Sequence, residues 1–252
     1  MRPIPSQQYV GPWYASAAVV LWPLMMTITR HQWRGEENLG QAKDGMVIAA
    51  NHMSWFDPLV ICHIMNDNNR IPRFLAKDSL FEVPLVGRIV AGAGQIPVYR
   101  NTRDAEKAVS AAVEAVEEGQ AVVVYPEGTL TRDPALWPMT GKTGAARIAL
   151  TSGAPVVPLA HWGAQKVMRP YKKELNVLPP PEISVAVGEP VNLDDLRDRD
   201  LSQDVLEEAT SRIMDAITQE LALLRQEPAP TERWNIKAKA LRPIHHPIPR
   251  KS

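Results

Sequence analysis

In the stretch AANHMSWFDPLV, residues 49 to 60, a histidine and an aspartate stand five positions apart, His52 and Asp57. An imidazole held at one ring nitrogen by a carboxylate keeps its other nitrogen available as a base toward a hydroxyl. On one continuous helix the two side chains would lie roughly 140° apart and could not meet. Contact therefore requires a turn between a strand that ends near Asn51 and a helix that starts at Asp57. The same residues support a plainer reading. Asp57 followed by Pro58 is a strong helix start, the carboxylate capping free N–H groups and the proline preset at the first helical position. Ser54 with Asp57 three residues on also fits a capping box. Taken alone, the peptide leaves these readings open.

The elements that must position the pair follow an α/β rhythm. MVIAA (46–50), RFLA (73–76), QIPVY (95–99), AVVVY (121–125), PVVPLA (155–160) and ISVAV (183–187) read as strands, most of them too continuously apolar for a half-exposed sheet. Ala105, Ala108, Val109, Ala112, Val113 and Val116 recur at helical steps opposite Asp104, Lys107, Glu114 and Glu118, which predicts an amphipathic helix laid on the sheet. A second helix, carrying Leu206, Ala209, Ile213, Ala216, Ile217, Leu221 and Leu224, closes the folded part near Arg225. The expected fold is α/β: a mixed, largely parallel sheet flanked by helices.

A chain of 252 residues with 45% hydrophobic content can bury one sizeable core. Its 28 lysines and arginines balance 28 aspartates and glutamates, so no overall field points to nucleic acid. The single cysteine, Cys62, rules out an internal disulfide and fits a reducing compartment. Residues 9–29 carry no charged side chain, but Pro12 and Pro23 interrupt them and Arg30 and Arg34 follow at once. With Trp13, Tyr14 and Trp22 suited to the headgroup layer, an interfacial helix is preferred to a true span or a core helix. Residues 1–34 are thus read as an apolar membrane-associating segment and 35–226 as the main domain. Residues 227–252 are read as a proline-rich tail whose Arg233, Lys237, Lys239, Arg242, Arg250 and Lys251 could touch anionic lipid or simply be solvated.

Several other motifs fail on spacing. GKT at 141–143 would need its first loop glycine at Leu136, and GAGQIP from Gly92 has Pro97 where a dinucleotide loop needs its third glycine. There is no G-x-S-x-G. Cys62 reads as a small buried residue rather than a nucleophile. Of six histidines only His245 and His246 are neighbours, so no metal is expected. Lys142, opening the predicted helix TGAARIALTS, could hold a phosphate together with the helix N-terminus.

NHMSWFD, then KDSLFEVPLVGRIVAGAGQIPVYR (77–100), YPEGTLTRD (125–133) and APVVPLA (154–160) occur in an order that resembles the four blocks of the glycerolphosphate acyltransferase superfamily. The likeness runs from about residue 35 to 190 and is greatest to 1-acyl-glycerol-3-phosphate acyltransferases. It implies that His52 is the general base and Asp57 its orienting partner, with direct attack of the acceptor hydroxyl on an acyl thioester. It further implies that Arg100 binds phosphate, that Glu127, Gly128 and Thr129 shape the acceptor site, and that Lys77 and Arg132 add cations. One departure is that Leu130 stands where the family commonly has arginine, with Arg132 two residues later as the substitute. The implied partners are acyl-CoA as co-substrate, lysophosphatidic acid and a membrane surface at the cytoplasmic face of the cell membrane, with no cofactor, no metal and no nucleic acid. The alternatives are another acceptor (glycerol-3-phosphate, a lysophospholipid or a glycolipid) or a non-catalytic lipid-binding scaffold.

Overall fold

The structure, a computed structural model, describes residues 12–40, 45–98, 102–172 and 174–244. Nine helices and nine strands are found among them, besides a short 3-10 turn at Asp78–Leu80. Strands β1 (Arg30–Arg34), β2 (Met46–Ala50), β3 (Pro72–Lys77), β4 (Ile96–Val98), β5 (Ala121–Val124), β6 (Val156–Trp162) and β7 (Glu182–Val187) form one sheet in the order β1-β7-β6-β2-β5-β3-β4. Its pairs are parallel except β6 with β7, so β7 and the edge strand β1 run against the rest. The α/β expectation holds. The six strands read from the sequence are β2 to β7, with ends shifted by a residue or two at most.

Both faces of this sheet are covered, which is why its central strands are apolar without alternation. Every residue of β2 is buried. Val47 and Ala49 face a core built with α5 (Thr102–Glu117), α6 (Gly144–Ser152) and α9 (Gln203–Arg225); Met46, Ile48 and Ala50 face one built with α3 (Asp57–Asp67). Met25 of α1 (Pro12–Ile28) joins that second core, with Leu39 of α2 (Glu37–Gly40) and Ala164 and Val167 of α7 (Ala164–Val167). The remaining helices are α4 (Val86–Gly92), packed on α1, and α8 (Asp194–Arg197).

Three expectations need correction. Pro23 does not break the N-terminal helix, which runs through it. Proline lacks only its own N–H, and the carbonyl four residues back that loses it belongs to Val19, on an exposed position of α1. The main domain begins before residue 35, because β1 pairs with β7 over Arg30–Arg34. Finally, part of the basic tail is folded: β8 (Glu232–Asn235) and β9 (Ala240–Pro243) form a hairpin, the Thr140 amide donates to the Trp234 carbonyl, and Arg233 reaches Asp215 on α9 at 2.8 Å. Alternation of charged with apolar residues in ERWN and RHQWR conceals such edge strands.

Candidate active site

Between β2 and α3 the chain turns back at Asn51–Phe56, and this turn brings His52 to Asp57. The His52 Nδ1–H donates to Asp57 Oδ2 at 2.9 Å; a carboxylate can only accept, which fixes the tautomer and leaves Nε2 with a free lone pair. The same Oδ2 accepts from the amides of Met53 at 2.7 Å and Ser54 at 2.8 Å. Asp57 therefore does not cap its own helix. The N-cap residue is Phe56, without a side-chain cap, Pro58 sits in the first turn, and Ser54 Oγ accepts from the Phe56 amide. The carboxylate points backward and spends its bonds on the turn and the imidazole. Asp57 is fully buried, whereas the His52 side chain retains 19% exposure, so the pair presents a ring edge to the outside with its carboxylate behind.

Two residues not singled out from the sequence complete the surroundings. Tyr125, just past β5, stacks on the His52 ring at 4.1 Å between centroids. His161, buried on β6, lies 3.7 Å from Asp57 Oδ2 through its Nε2 and donates from that atom to the Asn51 carbonyl at 3.0 Å. Burial keeps His161 below the usual histidine range, so it stands beside the carboxylate as a neutral ring. The available signal was a histidine in an otherwise apolar strand.

Glu127 acts from inside the fold. Its carboxylate has no exposed surface; Oε1 accepts from the His52 amide and Oε2 from the Met139 amide, each at 3.0 Å. Burial pushes its carboxyl up to about 8, against the two backbone N–H donors. The adjoining Gly128 has φ +68°, and a Cβ there would lie 2.8 Å from Lys142 Nζ, so this turn needs glycine and carries the Lys142 side chain across it. Lys142, Arg132 and Lys77 are exposed and Thr129 is half-buried. Leu130 is buried, its carbonyl accepting from the Tyr171 hydroxyl, and offers the surface no replacement for a cation. Arg100 lies outside the described residues.

Beyond Tyr125, Phe74 stacks on it at 6.2 Å and also lines an apolar cavity of about 220 Å³. Tyr14, Ala18 and Leu21 of α1, Leu59 and Cys62 of α3, and Val90 of α4 contribute walls. Burial pushes the Cys62 thiol up to about 12, which suits a wall and not a nucleophile.

The family model named Acyltransferase matches residues 30–162, just over half of the chain. The chain belongs to the acyltransferase family. It is 29% identical over 153 residues to the chloroplastic 1-acyl-sn-glycerol-3-phosphate acyltransferase BAT2 of Brassica napus, covering 60% of this chain and 42% of that one. The 1-acyl-sn-glycerol-3-phosphate acyltransferase of Bacillus subtilis is 28% identical over 160 residues, 62% of this chain and 71% of its own. The chain thus spans less than half the length of the Brassica relative. In fold it is similar to the 1-acyl-sn-glycerophosphate acyltransferase PlsC of Thermotoga maritima, with a TM-score of 0.63 at 20% identity over 86% of this chain and 84% of the other. Among the described residues of this acyltransferase no helix is long and apolar enough to cross a membrane.

Proposed function

We propose that the protein transfers an acyl chain from acyl-CoA to the free hydroxyl of lysophosphatidic acid, giving phosphatidic acid, with His52 as general base. The observation that carries this reading is the 2.9 Å bond from His52 Nδ1 to Asp57 Oδ2, with the imidazole edge open to the outside. His52 Nε2 takes the proton as the acceptor oxygen attacks the thioester carbonyl. The new C–O bond forms, the C–S bond breaks, and the proton passes to the departing thiolate. Asp57 holds the ring in the required tautomer and stabilises the imidazolium while it exists. Two relatives named as 1-acyl-sn-glycerol-3-phosphate acyltransferases support the choice of acceptor.

Other residues, of the four blocks and beyond, have roles in this reading. Lys142 beside the Gly128 turn, with Lys77, Arg132 and Arg100, supplies cations for the acceptor phosphate and the phosphates of coenzyme A. The apolar cavity takes the acyl chain, entered past Tyr125 and Phe74. Val19, Val20, Leu24 and Met26 of α1, with Val83 and Leu85 before α4, are exposed apolar side chains that seat the protein on a lipid surface without spanning it.

Thiol release from palmitoyl-CoA with lysophosphatidic acid in vesicles, wild type beside His52→Ala, tests this. Release by wild type alone, with phosphatidic acid formed, is expected; equal release by a folded His52→Ala would overturn the mechanism. A second reading keeps the chemistry and changes the acceptor. It is favoured by the burial of Leu130, which leaves the turn one cation short of the family pattern. Specificity constants for glycerol-3-phosphate, lysophospholipids and glycolipid acceptors separate the two.

A further inference from the structure

Away from the dyad, α1, β1 and α3 meet around a cluster the sequence keeps apart. His63 and Asp67 are four residues apart on one face of α3, with His63 Nε2 3.8 Å from Asp67 Oδ2. His31 of the edge strand β1 lies against them, ring to ring with His63 at 4.9 Å. The donor atoms of His31, His63 and Asp67 all fall within 4.8 Å of one another. Two indoles close the cluster: Trp22 Nε1–H donates to Asp67 Oδ1 at 3.1 Å and Trp33 Nε1–H to Asp67 Oδ2 at 3.0 Å.

His63 is the unexplained member. It is 3% exposed, yet neither ring nitrogen has a hydrogen-bond partner. A neutral imidazole carries one N–H and one lone pair. The N–H can rest on an aromatic face, and the indole rings of Trp22 and Trp33 lie nearly perpendicular to the His63 ring, at 86° and 90°. Those faces offer nothing to the lone pair, because both indole N–H groups already point at Asp67. A buried acceptor left unmet carries the full cost of its lost hydration. A metal ion takes such a lone pair, and the ligand atoms of His31 and Asp67 beside it favour an ion over a single water.

We propose that His31, His63 and Asp67 form a structural site for a divalent metal ion of the zinc class. Two imidazoles and one carboxylate suit zinc and exclude magnesium as the preferred ion. Histidine and aspartate at i and i+4 on a helix present their ligand atoms on one side, as paired ligands do in helical zinc motifs. The bonds from the two indoles orient the Asp67 carboxylate toward the histidines, as outer hydrogen bonds orient a metal ligand. Tetrahedral ligation at about 2.0–2.2 Å needs donors roughly 3.3–3.6 Å apart. The cluster must close by about an ångström, within reach of a side-chain rotation at half-buried His31.

The site is not a catalytic metal. Asp67 stands ten residues along α3 from Asp57, about 15 Å of helix. An ion there ties α1, through Trp22, to β1 and α3, and Trp22 and His63 both wall the apolar cavity.

The test uses the full chain, treated with chelator and then titrated with Co²⁺ and Zn²⁺. One equivalent of Co²⁺ giving ligand-field absorption, displaced by Zn²⁺, and a Zn²⁺-dependent rise in Tm are expected in the wild type. Both should be lost in His31→Gln, whose fold is checked by circular dichroism, and in His63→Gln. The double variant His245→Ala/His246→Ala should retain them. No binding by the wild type overturns the proposal, and so does binding that survives in folded His31→Gln or disappears with the His245/His246 pair.

Discussion

Glu127 holds His52 by its backbone and not by its ring: Oε1 accepts from the His52 amide at 3.0 Å. The Thr131 amide, four residues on, donates to the His52 carbonyl at 2.7 Å. The loop after β5 thus grips this one residue from both sides, leaving the imidazole to Asp57 and Tyr125. The backbone of the proposed base is held by two bonds, and its ring by a third, to Asp57.

If His52 is the base, His52→Ala should lower kcat by about 10²–10⁴-fold with little change in KM. Asp57→Asn should act similarly, because the amide can donate to the ring and select the wrong tautomer. Steady-state kinetics on proteins with matching circular dichroism spectra check both.

The raised carboxyl of Glu127 makes stability depend on pH. An ordinary glutamate loses its proton near 4.5 in the unfolded chain, whereas the buried one keeps it to about 8. Unfolding between these values releases a proton, so Glu127 favours the fold fully at the acid end and loses that contribution as pH rises toward 8. Tm measured from pH 5 to 8 should fall for the wild type, and Glu127→Gln should flatten the curve.

Gly128→Ala should cost about 1–2 kcal/mol from its left-handed backbone. It should also displace Lys142 and raise KM for the phosphorylated acceptor more than it lowers kcat. A rise in KM without displacement of Lys142 in a structure of the variant would detach the cation from acceptor binding.

Ala18→Phe places a ring in the 220 Å³ cavity. If the acyl chain lies there, kcat/KM for long-chain thioesters should drop by at least tenfold while short-chain thioesters are spared. A uniform loss across chain lengths would place the chain elsewhere.

The central sheet was legible because burial on both faces leaves a continuous apolar run, as in MVIAA, whose limits coincide with β2. The edge strand β1 was not, since RHQWR exposes every second residue. The turn between His52 and Asp57 followed from the strand and helix on either side, while the direction of the carboxylate did not. Capping and ring-holding use the same aspartate, and only three-dimensional geometry chooses between them. Tyr125 could be read only as part of a strand, because its stacking on His52 joins the ends of β2 and β5, whose partners in the sheet are far apart in sequence. His31 and His63 were hidden for the same reason, one lying on an edge strand and the other on the helix beyond it.

Asn51 and His161 are joined by three bonds: Asn51 Nδ2 to the His161 carbonyl, the His161 amide to Asn51 Oδ1, and His161 Nε2 to the Asn51 carbonyl. They clasp residues 110 positions apart, a contact that must overcome the closure entropy of a long loop. A growing chain therefore carries His52 and Asp57 long before it can aim them. Only when β6 has docked on β2 does the turn acquire its bracket, so whatever chemistry the pair performs reports that synthesis and folding have passed residue 161.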